Sequence, residues 1–404
     1  MSRSAGSRGS PTAAGAGAGH SAAFRFVILI GIVSLFADMT YEGSRGITGP
    51  YLALLGASAT VVGIVAGGGE LLGYALRLVS GRLSDVTGRY WPVTLAGYVV
   101  QMAAVPALAL AGSWQAAAFL IVLERVGKAM RNPPRDAMLA HATTEIGRGW
   151  GFGVHEALDQ LGAMIGPLLA AGVLAVRGDY RIAFAVLLVP AVTTLGMVLL
   201  ARISYPDPGS LAARPADVRT EGLPRELWVY LGATMLVAAG FADFSLMAFH
   251  FQRADTIPAD WVPLFYAAAM GVSGLGSLAW GRLFDRAGIV VLVPLTLVSA
   301  AFAPLVFLGA PPEAFVGTLA WGLGMGVHES IMAAAVAGMV PSGRIASAYG
   351  LFNLLYGVAW FLGSAAMGIL YDVSVPALVV FSVVAELAAV PLILAVHRGR
   401  PRVA

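Results

Sequence analysis

Apolar runs of about twenty residues follow one another along the chain, separated by short polar stretches. An α-helix needs about that length to cross a bilayer core of about 30 Å. On that criterion the pattern predicts twelve membrane helices, at 25–54, 58–80, 90–111, 114–133, 150–175, 180–201, 227–251, 260–280, 288–309, 313–335, 346–370 and 375–396. Residues 203–226 interrupt the series with Pro206, Pro208, Pro215, Pro224 and mixed charges, and read as a linker between two six-helix halves, 25–202 and 227–397. Residues 1–24, rich in Gly, Ala and Ser, and residues 398–404 read as disordered tails, because such composition buries too little apolar surface to order itself. The run from Phe26 is too long and too charged for a secretory leader.

The segment GRLSDVTG at 81–88 returns as GRLFDRAG at 281–288, half a chain length later. Gly81/Gly281, Arg82/Arg282, Leu83/Leu283, Asp85/Asp285 and Gly88/Gly288 are identical. Charged turns duplicated between apolar helices point to two related halves, the construction of many secondary transporters.

Composition narrows the class. Hydrophobic residues make up 58% of the chain and charged residues 12%, with a mean hydropathy of +0.80. A soluble domain carries about 25% charged residues, so too little polar surface remains to coat a water-soluble globule. The fold expected is an all-α polytopic membrane protein, two pseudo-symmetric six-helix bundles around a central cavity. With no cysteine, disulfides, thiolate metal sites and cysteine nucleophiles are excluded. The net charge of +3 calls for no nucleic-acid partner. Twelve crossings put both termini on one face. If that face is cytoplasmic, only Arg177, Arg181 and Arg253 among the 25 basic residues fall in the opposite loops, while Arg45, Arg77, Arg125 and Lys128 lie deeper within spans. That asymmetry follows the positive-inside rule.

The motifs resemble those of the Major Facilitator Superfamily, from Phe24 to His397. Its signature between the second and third helices is matched by Gly81, Asp85, Gly88 and Arg89, and in the second copy by Gly281, Asp285, Arg286 and Gly288. In physical terms each Gly permits a tight turn, and each Asp can sit at a positive helix N-terminus. Charge pairs made there would latch one conformation and break for the other. In the fifth span Gly153, Gly162, Gly166 and Pro167 are similar to the family's antiporter motif, with Ala170-Ala171 where Gly-Gly is usual. Its glycines allow tight packing, and Pro167 favours a kink. Gly350 and Gly363 keep the spacing of Gly153 and Gly166. The resemblance implies export against protons. It also implies a proton-coupling role for Arg125, which is followed by Lys128 and Ala129 in place of the usual Gln and Gly.

Ionisable groups inside a membrane span are functional candidates by default. Asp38, Tyr41, Glu42 and Arg45 fall on one face of the first helix at helical periodicity, a stripe that needs a cavity or a partner helix. Glu70 lies in the second span, Asp243 in the seventh, and His328 and Glu329 in the tenth. Phe241-Ala242-Asp243 echoes Phe36-Ala37-Asp38, so the halves are expected to offer paired aspartates to one cavity. Glu124 and Lys128 are spaced to pair at i, i+4, and with Arg125 they are expected to form a network with His155, Glu156 and Asp159. Asp38 ranks first as proton carrier and Glu42 second, with Arg45 or Arg125 as charge partner. His155-Glu156 and His328-Glu329 lack the second His of a zinc helix, Asp159 and Met332 standing there, so no metal is expected.

The leading expectation is a proton-coupled exporter of a small organic molecule. It would work as a monomer in the cytoplasmic membrane, without a cofactor and driven by the proton gradient. Uptake by symport or facilitated diffusion is the second reading. A membrane sensor or intramembrane enzyme is the third, disfavoured by the lack of an output domain or a nucleophile–base pair.

Overall fold

The computed structural model describes residues 13–146, 148–206, 223–326, 331–340 and 345–399, and every element among them is helical. The side chains at 13–22, 85, 140–141, 143–153, 333–334, 337, 345–347 and 399 lie outside the description. The first half contains α1 (Ala13–Leu54), α2 (Ala59–Thr87), α3 (Tyr90–Ala107), α4 (Trp114–Ile146) and α5 (Arg148–Arg177). Its sixth stretch is split into α6 (Tyr180–Val186) and α7 (Leu188–Ser204). The second half begins with α8 (Arg225–Gly240) and α9 (Phe244–Arg253), two pieces of one crossing, followed by α10 (Val262–Ala287). Then come α11 (Leu292–Ala300), α12 (Phe302–Leu308), α13 (Pro311–Gly326), α14 (Met332–Ala337), α15 (Ile345–Val373) and α16 (Val375–Gly399).

Nine helical stretches among the described residues are long and apolar enough to cross a membrane. Three of the twelve anticipated spans do not stand out separately among the described residues. Val262–Leu308 counts as one stretch of 47 residues. At 1.5 Å per residue a straight helix of that length would be about twice the bilayer core. Gly288, at φ +69, turns the chain inside it. α4 carries more charge than an apolar span, and residues 327–330 of the tenth span lie outside the described residues. α4 also runs on to Ile146, well past the expected end at 133, with Pro133 and Pro134 inside it. α1 starts at Ala13, within the stretch read as a tail.

The repeated segments are largely helix rather than turn. α2 continues to Thr87 and α10 to Ala287, so Gly81, Asp85, Gly281, Asp285 and Arg286 are helical. The tight turns fall at the closing glycines alone, Gly88 at φ +64 and Gly288.

Small residues set the seams. A Cβ on Gly162 or Gly166 would collide with the backbone carbonyls of Leu35 and Met39, so α5 lies directly on α1. Gly363 meets the backbone of Ala239 in the same way and seats α15 on α8, while Gly350 faces open space. The closing glycines of the two motifs, Gly166 and Gly363, thus use one packing solution twice. Pro167 sits inside an uninterrupted α5.

Among the described residues, cross-half hydrogen bonds and ion pairs fall in the middle of the bundle and at the end away from the termini. At that far end Asp372, near the close of α15, accepts from the backbone N–H groups of Ala59 and Thr60 at 3.1 and 2.9 Å and from the Thr60 hydroxyl at 2.6 Å. A carboxylate from one half therefore caps the first turn of α2 in the other, where N–H groups lack helical partners and the dipole is positive. Tyr180 donates to Gln252 across the same seam at 3.1 Å. Beside it Gly63 and Gly67 let α2 approach the backbone of α15 at Ser364 and Phe361.

Candidate functional site

Four helices of the first half and the break between α8 and α9 bring the charges together. Arg45, Glu70, Arg125 and Asp243 each lie about ten residues from the far end of their crossing. At 1.5 Å per residue that is about 15 Å, the middle of the bilayer core. The Nη2 of Arg45 is 2.9 Å from the Oδ2 of Asp243 and 3.8 Å from the Oε1 of Glu70. Arg125 holds Glu70 at 2.7 Å and Glu124 at 3.5 Å, and donates to the Tyr41 hydroxyl. Gln101 of α3 is fully buried, donates to Glu124 at 2.8 Å and accepts from the Nε of Arg131 at 2.6 Å. Arg131 then reaches the Tyr98 hydroxyl at 3.1 Å and Asp38 at 3.6 Å. A continuous chain of polar contacts thus runs from Asp38 to Asp243.

The break in the seventh crossing makes this possible. α8 ends at Gly240, Phe241 is extended, and Asp243 caps α9 by accepting from the Ser245 N–H at 2.9 Å. One carboxylate oxygen satisfies an orphan N–H of the new helix, which leaves the other for Arg45. The echo between Phe36-Ala37-Asp38 and Phe241-Ala242-Asp243 is therefore not an equivalence. Asp38 lies within the unbroken α1 and pairs with Arg131, whereas Asp243 starts a helix and pairs across the halves.

Three other expectations change. Glu124 and Lys128 do not pair, because Gln101 and Arg125 occupy Glu124, and the Lys128 ammonium lies 3.7 Å from the centroid of the Tyr41 ring. Asp38 takes neither Arg45 nor Arg125 as its partner. His155 meets Ser34 of α1 at 2.9 Å, and Arg135 donates to the same hydroxyl at 3.2 Å, so these groups form a separate cluster. Glu156 there accepts from Gln160 at 3.0 Å. Arg89, Asp285 and Arg286 are exposed and make no ion pair among the described residues. The side chains of Asp85 and Gly153, and all of His328 and Glu329, lie outside the description.

Glu42 stands apart within the cluster. It is buried, accepts from the hydroxyl of Tyr266 on α10, and among the described residues no ion pair reaches it. Beside the cluster a cavity of about 20 Å³ is lined by Tyr41, Arg45, Thr48, Glu124, Arg125 and Ser245 among others. That is room for about one water. Most of the charged groups around it satisfy one another, while the Nε of Arg45 has no hydrogen-bond partner among the described residues. No group of His, Asp and Glu among the described residues is arranged to hold a metal.

The profile of the Major Facilitator Superfamily matches residues 22–364, most of the chain. The chain belongs to the Major Facilitator Superfamily. It is a multi-pass membrane transporter, and the uncharacterized protein Rv2265 of Mycobacterium tuberculosis is 43% identical over 389 residues, 95% of each chain. The uncharacterized MFS-type transporter MJ1317 of Methanocaldococcus jannaschii is 27% identical over 231 residues, 57% of this chain and 56% of that one. Among solved structures, the nucleoside transporter NupG aligns at a TM-score of 0.70 and 12% identity, over 92% of this chain and 98% of its own. A POT family transporter in complex with 5-aminolevulinic acid aligns at 0.73 and 12% identity, over 93% and 96%. At those identities the likeness speaks for the superfamily fold.

Within that fold, Tyr98, Gln101, Arg131 and Tyr266 were missed in the sequence. Arg131 read as a flanking basic residue because the fourth span was ended at 133. Gln101, a lone amide inside an apolar span, carried a usable signal, since a buried polar group needs partners. Tyr266 carried none, being one aromatic among many in an apolar run.

Proposed function

We propose that this superfamily member moves a small organic molecule across the cytoplasmic membrane by alternating access. Both termini lie in the cytoplasm, and the direction is export in exchange for protons. The observation that carries the reading is the environment of Glu42. Every other carboxylate of the central cluster is tied to an arginine, so protonating it would break an ion pair and leave a buried cation uncompensated. Glu42 is bound to a neutral phenol, and among the described residues no ion pair reaches it, so a proton can load there without breaking one. Its partner belongs to the other half, so a proton on Glu42, or a substrate displacing Tyr266, changes a contact that joins α1 to α10. Glu42 therefore takes the place of Asp38 as the leading proton carrier. Arg45–Asp243 is the second cross-half contact at the same depth, and a polar substrate would compete with it.

The glycine seam of α5 on α1, which follows the antiporter-like motif, favours export. The exposed Arg89, Asp285 and Arg286 stand ready to pair when the end carrying the termini closes. The names of the structural neighbours, a nucleoside transporter and a transporter holding 5-aminolevulinic acid, favour a substrate of metabolite size. Inverted vesicles test the reading. Under an inward-acid gradient they should accumulate a compound from a metabolite and drug panel, and an ionophore should abolish the accumulation. Accumulation in right-side-out vesicles alone would reverse the direction, and accumulation unaffected by the ionophore would remove proton coupling.

A further inference from the structure

The second half holds an acid that the central cluster does not use. Glu386, midway along α16, is fully buried, and neither of its carboxyl oxygens has a hydrogen-bond partner among the described residues. α16 packs against α8, α11, α12 and α15. Of these, α11 and α12 carry no ionisable residue. Those of α8 are Arg225, Glu226 and Tyr230, and those of α15 are Tyr349, Tyr356, Tyr371 and Asp372. His397 and Arg398 lie at the far terminus of α16 itself, and none of these groups pairs with Glu386. The hydroxyl of Ser299 on α11 is its polar neighbour, outside hydrogen-bond geometry.

What Glu386 does face is the break in the seventh crossing. A Cβ placed on Gly240, the last residue of α8, would come 2.9 Å from the Cγ of Glu386. Ser382, one turn earlier on α16, donates to the Gly240 carbonyl at 2.6 Å. α16 therefore clamps the end of α8 with one hydroxyl and sets a carboxyl beside it. A helix C-terminus offers unpaired carbonyls and the negative end of the dipole. A bare carboxylate against that end would be repelled, and with no cation nearby its burial would cost several kcal/mol. A carboxylic acid could instead donate its O–H to a carbonyl that the break leaves open. Broken helices near the bilayer midplane are where transporters place coupling ions.

We propose that Glu386 is a second proton-binding site, separate from the central cluster, which holds its proton while α16 clamps the α8–α9 break and releases it when the break moves. The step is a simple proton transfer. The acid O–H bond breaks, the electron pair stays on the carboxylate, and the proton passes to water admitted as the clamp opens. Asp243, on the other side of the same break, carries that movement to Arg45.

Infrared difference spectroscopy of the full-length protein in nanodiscs tests this. The wild type should show, at neutral pH, a carboxylic-acid C=O band that shifts in deuterated water and is absent in Glu386→Gln. Ser382→Ala keeps the acid but removes the clamp, and should weaken the band at least twofold at the same pH. Glu42→Gln should leave it in place, so failure of the Glu42 reading and failure of this one are distinguishable. A spectrum of Glu386→Gln identical to wild type, or an unchanged band in Ser382→Ala, would overturn the proposal. So would a band lost on adding Na⁺ at fixed pH, which would mark a metal-cation site.

Discussion

The two halves share a packing plan and divide the chemistry unequally. The first buries Asp38, Glu42, Arg45, Glu124, Arg125, Arg131, Arg135 and His155, whereas the buried ionisable groups of the second include Asp243, His250 and Glu386. At the corresponding depth the second half is aromatic. Phe241 stacks on Trp321 at 5.7 Å, Phe244 packs on Tyr266 at 4.4 Å, and the Trp321 indole donates to the Ala242 carbonyl at 2.8 Å. One half is held by charges that satisfy one another, and the other by ring packing around a broken helix. A shared packing plan therefore leaves room for one bundle to carry charge while the other carries a broken helix. At mid-depth two polar contacts among the described residues join them, Arg45–Asp243 and Glu42–Tyr266.

Breaking the charge pair that ties Arg45 of the first half to Asp243 should cost far more than removing the unpaired acid Glu386 of the second. Arg45→Ala leaves Asp243 buried without its cation and should lower stability by about 3–5 kcal/mol, read by thermal unfolding in detergent. Adding Asp243→Asn should restore part of the loss. Glu386→Gln removes no pair and should cost under about 1 kcal/mol. Equal losses in the two variants would erase the contrast between the halves.

The packing plan, by comparison, should respond alike in both halves. Gly166→Leu and Gly363→Leu each force a side chain against backbone, and each should cost about 1–3 kcal/mol. A loss confined to one of them would mean that the two seams are not equivalent.

The join at the far end is weaker and conformational. Asp372→Ala removes the cap on α2, and a loss of about 1–2 kcal/mol shifts a two-state population about 5–30-fold. Distances between spin labels at the far ends of α2 and α15 should lengthen accordingly. The smallest effect belongs to Gly350→Ala, which meets open space in a helix and should stabilise by about 0.5–1 kcal/mol.

The fold was legible in the sequence because bilayer thickness sets the length of every apolar run and the halves repeat their motifs. Candidate charges were legible for the same reason, since a charge inside such a run has no cheap explanation. Their pairing was not. Helical spacing suggested Glu124–Lys128, but Gln101 on another helix takes Glu124, and nothing local encodes that. The equivalence of Asp38 and Asp243 failed because the break at Phe241 depends on Ser382, Trp321 and Gly363, all far along the chain. Glu386 went unnoticed because its meaning lies in what fails to contact it.

In the proposed cycle Glu42, bridging the halves through Tyr266, couples protons to substrate. The direct measurement compares wild type with Glu42→Gln and Asp38→Asn in inverted vesicles, using a compound that the wild type accumulates under an inward-acid gradient. Glu42→Gln should abolish gradient-driven accumulation while keeping exchange of labelled for unlabelled compound at zero gradient, and Asp38→Asn should retain part of the driven flux. Wild-type accumulation in Glu42→Gln, with the flux lost in Asp38→Asn instead, would contradict the account.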